Sequence, residues 1–210
     1  MELSFLFIIE LIGTIAFAIS GIRLAAHKHF DWFGAYVVGL VTAIGGGTLR
    51  DLLLGLPVFW MHSPIYIAVT GISLLAVIMF KKTLIEGFRT LFLFDAIGLA
   101  LFVVIGIEKS LANGYDMWVA IIMGCITGAF GGVVRDILIN DEPLFFRKEI
   151  YATACLAGGV VYWIVNAIPH ATIPAEIACA ASVIVLRVLA NHYHWSLPIL
   201  KVDHHPKDKK

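Results

Sequence analysis

Two ion pairs set inside apolar sequence hold the chemistry available to this chain. Arg50-Asp51 ends the stretch Gly45-Gly46-Gly47-Thr48-Leu49-Arg50-Asp51 in an otherwise apolar run from Phe33 to Leu56. Arg135-Asp136 ends Gly131-Gly132-Val133-Val134-Arg135-Asp136 in a second run, Trp118 to Ile139. Glu10 and Asp95 stand in two further apolar runs, and Thr42 and Thr127 lie two helical turns before the arginines. A lone Arg or Asp at the centre of a membrane helix costs about 2.5–3.5 kcal/mol even on a lenient insertion scale, so these six ionisable groups need partners or water. Their setting predicts a polar pathway for an ion or small solute.

Fully ionised, the six groups carry two positive and four negative charges, an excess that favours cations over anions. Gly45, Gly46, Gly47, Gly131 and Gly132 each weaken a helix by about 1 kcal/mol relative to alanine. They are expected to kink it and turn backbone carbonyls toward a lumen. Those carbonyls and the Thr42 and Thr127 hydroxyls offer oxygen in place of part of an ion's hydration shell. Arg50 and Arg135 oppose cation passage unless carboxylates hold them, so they are expected to act as gates. A competing reading is packing, in which small residues let helices approach closely. Packing accounts for the glycines and leaves the charges unexplained.

Composition places these runs in a bilayer. Sixty per cent of the residues are hydrophobic, against roughly 45–50% in soluble domains. Seven runs approach the length that a ~30 Å hydrocarbon core requires: Leu3–Leu24, Phe33–Leu56, Ile65–Phe80, Leu91–Ile107, Trp118–Ile139, Ile150–Ile168 and Ile173–Leu189. The first is kept as a span and not a signal peptide, because no basic residue precedes it and Glu2 and Glu10 are acidic. Twelve of the fifteen Lys and Arg fall on one side of a seven-span arrangement, after spans 1, 3 and 5 and at the C-terminal end. That bias predicts an N-terminus outside and a C-terminus in the cytoplasm.

The runs are duplicated. At a constant offset of 85 residues Glu10 meets Asp95, Gly13 meets Gly98, Phe17 meets Phe102, Gly21 meets Gly106, and Asp51 meets Asp136. Spans 1–3 therefore recur as spans 4–6, and an odd number of spans inverts the second copy. The expected organisation is residues 1–84 and 85–169 as inverted repeats, 170–190 as a seventh span and 191–210 as a cytoplasmic tail. Ala35, Gly39, Thr42, Gly46 and Arg50 share one helix face, repeated by Ala120, Gly124, Thr127, Gly131 and Arg135. Spans 1, 2, 4 and 5 are expected to surround one shared feature.

The paired signatures Gly-Gly-Gly-Thr-x-Arg-Asp at Gly45 to Asp51 and Gly-Gly-x-x-Arg-Asp at Gly131 to Asp136 resemble the bacterial and archaeal branch of the trimeric intracellular cation channels. The repeat of that family is also labelled a glycine-transporter domain. The resemblance covers all seven spans. It implies an all-α membrane protein, a homotrimer with one pore per protomer lined by spans 1, 2, 4 and 5, and kinks at the glycines of spans 2 and 5. It also implies conduction of monovalent cations, chiefly potassium, with sodium as the other candidate and membrane lipid as the surroundings. The Lys-Glu-Val element of the animal members does not occur here, and Phe130 stands where the first copy has Gly45.

Other classes fit less well. A secondary transporter for a small zwitterion such as glycine is the live alternative, since Arg50 and Asp51 offer one charge to each end of an amino acid. A non-conducting scaffold is a third reading. Nothing suggests an enzyme: the serines lack a nucleophile-elbow context, and each motif Asp is adjacent to an Arg, unlike a proton-sharing carboxylate dyad. The eight histidines lack the spacing of a metal site, the three cysteines fall in apolar runs, and no basic cluster points to nucleic acid. No cofactor is called for.

Overall fold

The computed structural model describes residues 5–85, 90–147 and 150–198. Eight α-helices follow in chain order: α1 (Phe5–His27), α2 (Trp32–Leu53), α3 (Ile65–Met79), α4 (Lys81–Leu84), α5 (Thr90–Ala112), α6 (Met117–Leu138), α7 (Ala152–Asn166) and α8 (Thr172–Tyr193). Single 3₁₀ turns at Phe59–His62 and Leu144–Phe146 precede α3 and α7. Five helices, α1, α2, α5, α6 and α8, are long and apolar enough to cross a membrane. At 1.5 Å per residue they reach roughly 33–35 Å. The fifteen-residue helices α3 and α7 are shorter: α3 fills its expected run but for Phe80, and α7 loses two residues at each end of Ile150–Ile168.

The ends of α2 show why the chain turns where it does. Asp31 caps the start by accepting from the Gly34 amide at 2.6 Å. At the other end Gly55 adopts a left-handed φ of 68° and Asn140 takes the matching place after α6 at 58°. Glycine has no Cβ to clash in that conformation and asparagine tolerates it better than most residues. The Leu56 and Asp141 amides then close the two helix ends on the Asp51 and Asp136 carbonyls, each at 2.8 Å. The helices stop at Leu53 and Leu138, short of the expected Leu56 and Ile139.

The core is built on reciprocal contacts between positions 85 residues apart. Phe17 of α1 and Phe102 of α5 stack at 5.3 Å, and a Cβ on Gly98 would fall 2.2 Å from the Phe17 ring while one on Gly13 would meet Phe102 at 3.2 Å. Gly39 packs on Ile22 and the Ala18 carbonyl as Gly124 packs on Ile107 and the Val103 carbonyl. α2 and α6 cross at the centre. There a Cβ on Gly46 would lie 1.9 Å from the Thr127 carbonyl oxygen, and one on Gly131 2.2 Å from that of Thr42. α3 lies against α1 and α2, α7 against α6, and α8 against α5 and α7.

Two expectations change. α2 and α6 run as uninterrupted helix through their glycines, so backbone pairing is not broken there; at Gly46 and Gly131 the missing side chain lets one backbone meet the other. Arg23 and Arg187, expected near loops, are buried in α1 and α8. Arg89, Lys148 and the basic tail from Lys201 onward lie outside the described residues.

Candidate ion pathway

The antiparallel crossing of α2 and α6 separates the two ion pairs. Each arginine lies about six residues beyond the crossing point, in opposite directions, which puts them roughly 18 Å apart along the helix pair at 1.5 Å per residue. The charges thus form two clusters flanking the small-residue crossing.

In the second cluster Arg135 is fully engaged. Its Nε donates to Asp136 Oδ1 at 2.8 Å, and its Nη1 to Asp95 Oδ1 at 2.6 Å and to Ser20 Oγ at 2.8 Å. Asp136 also accepts the Leu144 amide at 3.0 Å. Arg187 of α8 approaches the other Asp95 oxygen at 3.7 Å and lies over the Tyr151 and Phe92 rings at 4.8 and 5.1 Å. A cavity of about 70 Å³ opens beside Arg135 and Asp136, with Leu24, Asp141 and Arg147 on its wall.

The first cluster repeats half of this plan. Arg50 donates from Nε to Asp51 Oδ1 at 2.8 Å, and Asp51 accepts the Phe59 amide at 2.9 Å, as Asp136 accepts that of Leu144. Glu10, the counterpart of Asp95, does not pair with Arg50. It accepts from the Tyr66 hydroxyl at 2.9 Å and lies 3.5 Å from Lys109 of α5. Ser20 corresponds to Ile105, which has no hydroxyl. Arg50 Nη1 therefore has no hydrogen-bond partner although the side chain is fully buried. Phe59 lies between two cations, with Arg50 at 5.5 Å and Lys109 at 5.3 Å from its ring centre.

Thr42 and Thr127 sit beside the crossing, fully buried. Each hydroxyl donates at 2.6 Å to the carbonyl four residues back, on Val38 and Met123, so its lone pairs remain for another donor or a cation. Gly45 has open room around it, the nearest atom to an added Cβ being Gly131 Cα at 3.6 Å. Gly47 faces Phe59, and Gly132 faces the Tyr151 hydroxyl.

Lys109, Arg187, Tyr66, Tyr151, Phe59 and Ser20 complete the clusters and had no site role in the sequence. Lys109 and Arg187 change the electrostatics. Glu10, Asp51, Arg50 and Lys109 balance, as do Asp95, Asp136, Arg135 and Arg187. The negative excess expected from the sequence is therefore cancelled. Tyr66 and Tyr151 are a further pair at the 85-residue offset, whereas Lys109 and Arg187 have no counterpart there.

A helical bundle with five helices long and apolar enough to cross a bilayer, whose buried charges are paired on either side of a crossing of small residues, defines an integral membrane protein. The family model described as glycine transporter matches twice, over residues 7–82 and 92–167. The chain belongs to that family, in its prokaryotic TRIC channel branch. It is 40% identical to a UPF0126 membrane protein of Vibrio cholerae, over 94% of this chain and 84% of the relative. It is 38% identical to the UPF0126 inner membrane protein YadS of Escherichia coli K12, over 93% and 96%. Among solved structures it resembles the TRIC trimeric intracellular cation channel orthologue from Rhodobacter sphaeroides, at TM-score 0.85 and 34% identity, covering 90% of this chain and 98% of that one. A prokaryotic TRIC channel crystallised in 0.5 M KCl matches at TM-score 0.82 and 30% identity, over 91% and 98%.

Proposed function

We propose that this protein is a potassium-permeable monovalent cation channel, a homotrimer with one pore per protomer lined by α1, α2, α5 and α6. In the cell membrane its seven spans are α1, α2, α3, α5, α6, α7 and α8, in two inverted repeats of three with α8 apart, the N-terminus outside and the C-terminus cytoplasmic. The observation that carries this reading is the pair of arginines held by carboxylates on either side of a crossing lined by glycine and threonine. A guanidinium at each mouth bars a cation electrostatically. When it swings away, the carboxylates it neutralised become an attractive entry. At the crossing, hydroxyl lone pairs and carbonyl oxygens supply ligands that a cation accepts and an anion does not. The solved relatives are cation channels by name, and they agree with this assignment where the cancelled charge no longer argues for it.

A second reading, transport of a small zwitterion such as glycine, draws on Arg50, whose free Nη1 beside Asp51 offers a donor to a carboxylate. Planar-bilayer recording under a potassium chloride gradient separates the two. Unit current steps reversing near the potassium equilibrium potential are expected. Silence in the bilayer together with saturable glycine uptake into liposomes would replace the channel with the transporter.

A further inference from the structure

Two buried thiols that belong to neither charge cluster face each other where α7 packs on α6. A Cβ on Gly159 of α7 would fall 3.2 Å from the Ile121 Cβ of α6, while Cys125, one turn after Ile121, meets Ala152 near the start of α7. The two helices are therefore antiparallel here. Cys155 lies one turn before Gly159, so the register that sets Ile121 on Gly159 sets Cys125 on Cys155. The sulfurs agree with that register. Cys125 Sγ donates to the Ala152 carbonyl at 3.8 Å and Cys155 Sγ to the Tyr151 carbonyl at 3.4 Å, so both reach adjacent carbonyls at the same helix end. Both cysteines are free.

We propose that Cys125 and Cys155 are a redox-sensitive pair, which hydrogen peroxide oxidises to a disulfide that ties α7 to α6. A disulfide needs Cβ atoms about 3.5–4.5 Å apart, and Gly159, with no side chain to hold the helices apart, permits such an approach one turn away. Cys125 is 8% exposed and Cys155 0%, so the oxidant meets Cys125 first. Its sulfur attacks one peroxide oxygen, the O–O bond breaks, and the other oxygen leaves as water with the thiol proton. The Cys155 sulfur then displaces the hydroxyl of the resulting sulfenic acid, which leaves as a second water with the Cys155 proton as the S–S bond closes. The two electrons lost by the thiols reduce one peroxide.

The link fastens a segment that touches the second cluster. Tyr151, which immediately precedes α7, sets its hydroxyl 2.9 Å from where a Cβ on Gly132 would stand and its ring against Arg187. The disulfide holds that segment on the helix that carries Thr127 and Arg135. Cys179 of α8 is fully buried as well, but it approaches α7 through its carbonyl, 3.3 Å from a Cβ on Gly158. The thiol pair goes beyond the channel reading and does not depend on it.

The test uses the full-length protein in lipid vesicles, treated with hydrogen peroxide, alkylated in denaturant, digested with trypsin and analysed by mass spectrometry. The fragment ending at Arg135 is expected to be joined to the fragment ending at Arg187, and dithiothreitol to release both. The second fragment holds Cys155 and Cys179, so variants separate them: Cys179→Ala keeps the link and Cys155→Ala abolishes it. Thermal unfolding gives a second measure. Wild-type Tm rises on oxidation and returns on reduction, whereas that of Cys125→Ala responds to neither. Complete alkylation of the cysteines in peroxide-treated wild type overturns the proposal, as does a link that survives in Cys155→Ala.

Discussion

Replacing Gly46 by alanine tests whether the crossing of α2 and α6 is as tight as its geometry. The new methyl would sit 1.9 Å from the Thr127 carbonyl oxygen, more than an ångström inside the 3.0 Å that real Cβ contacts respect. A carbonyl within a helix cannot rotate aside as a side chain does, so the two helices must part. Overpacking of this kind costs up to about 3 kcal/mol, while alanine returns about 1 kcal/mol of helix propensity. The net loss of about 2 kcal/mol lowers Tm by roughly 4–8 °C for a chain of this size. Gly45→Ala is the internal control, since its nearest neighbour is 3.6 Å away; it keeps the propensity gain and holds or raises Tm. Gly131→Ala, at 2.2 Å from the Thr42 carbonyl, behaves like Gly46→Ala. The assay is thermal unfolding of the purified protein in detergent, followed by tryptophan fluorescence. Equal Tm values for Gly46→Ala and Gly45→Ala would refute backbone contact as the reason for the glycine.

Arg135→Ala strands Asp95 and Asp136 together and should cost about 3–5 kcal/mol, whereas Arg50→Ala frees only Asp51 and should lower Tm less in the same assay. Both raise potassium flux into liposomes if the arginines are gates, and unchanged flux in both variants would remove that role. Glu10→Gln or Asp95→Asn shifts the reversal potential under a potassium chloride gradient toward zero; chloride permeating as readily as potassium in wild type and variants alike would count against carboxylate selection. Asp51→Asn keeps one acceptor for the Phe59 amide but loses the charge that holds Arg50, and should destabilise by about 1–3 kcal/mol by thermal unfolding.

The helices and their pairing were legible because bilayer thickness and an 85-residue recurrence are linear properties of the chain. The reciprocal contacts of Gly13 with Phe102 and of Gly98 with Phe17 follow directly from that recurrence once α1 and α5 are packed. The glycines were less legible, since a backbone that lacks Cβ is suited both to a kink and to a close crossing, and the close crossing at Gly46 and Gly131 depends on the position of the partner helix. The charge count failed for a related reason. Lys109 lies near the end of its helix and Arg187 belongs to a helix outside the repeat, so neither is marked by duplication, and their pairing with Glu10 and Asp95 depends on three-dimensional approach.

The unequal engagement of Arg50 and Arg135 bears on ancestry. In a symmetric dimer of three-span subunits each contact across the axis is made twice by the same residues, so one mutation alters both ends at once. Joining the copies in a single polypeptide removes that constraint, and each half then drifts alone. Ser20 against Ile105, Glu10 against Asp95 and Gly55 against Asn140 are places where the halves have parted. Gly46 and Gly131, each wedged on the other copy's threonine carbonyl, are where neither half has had room to change.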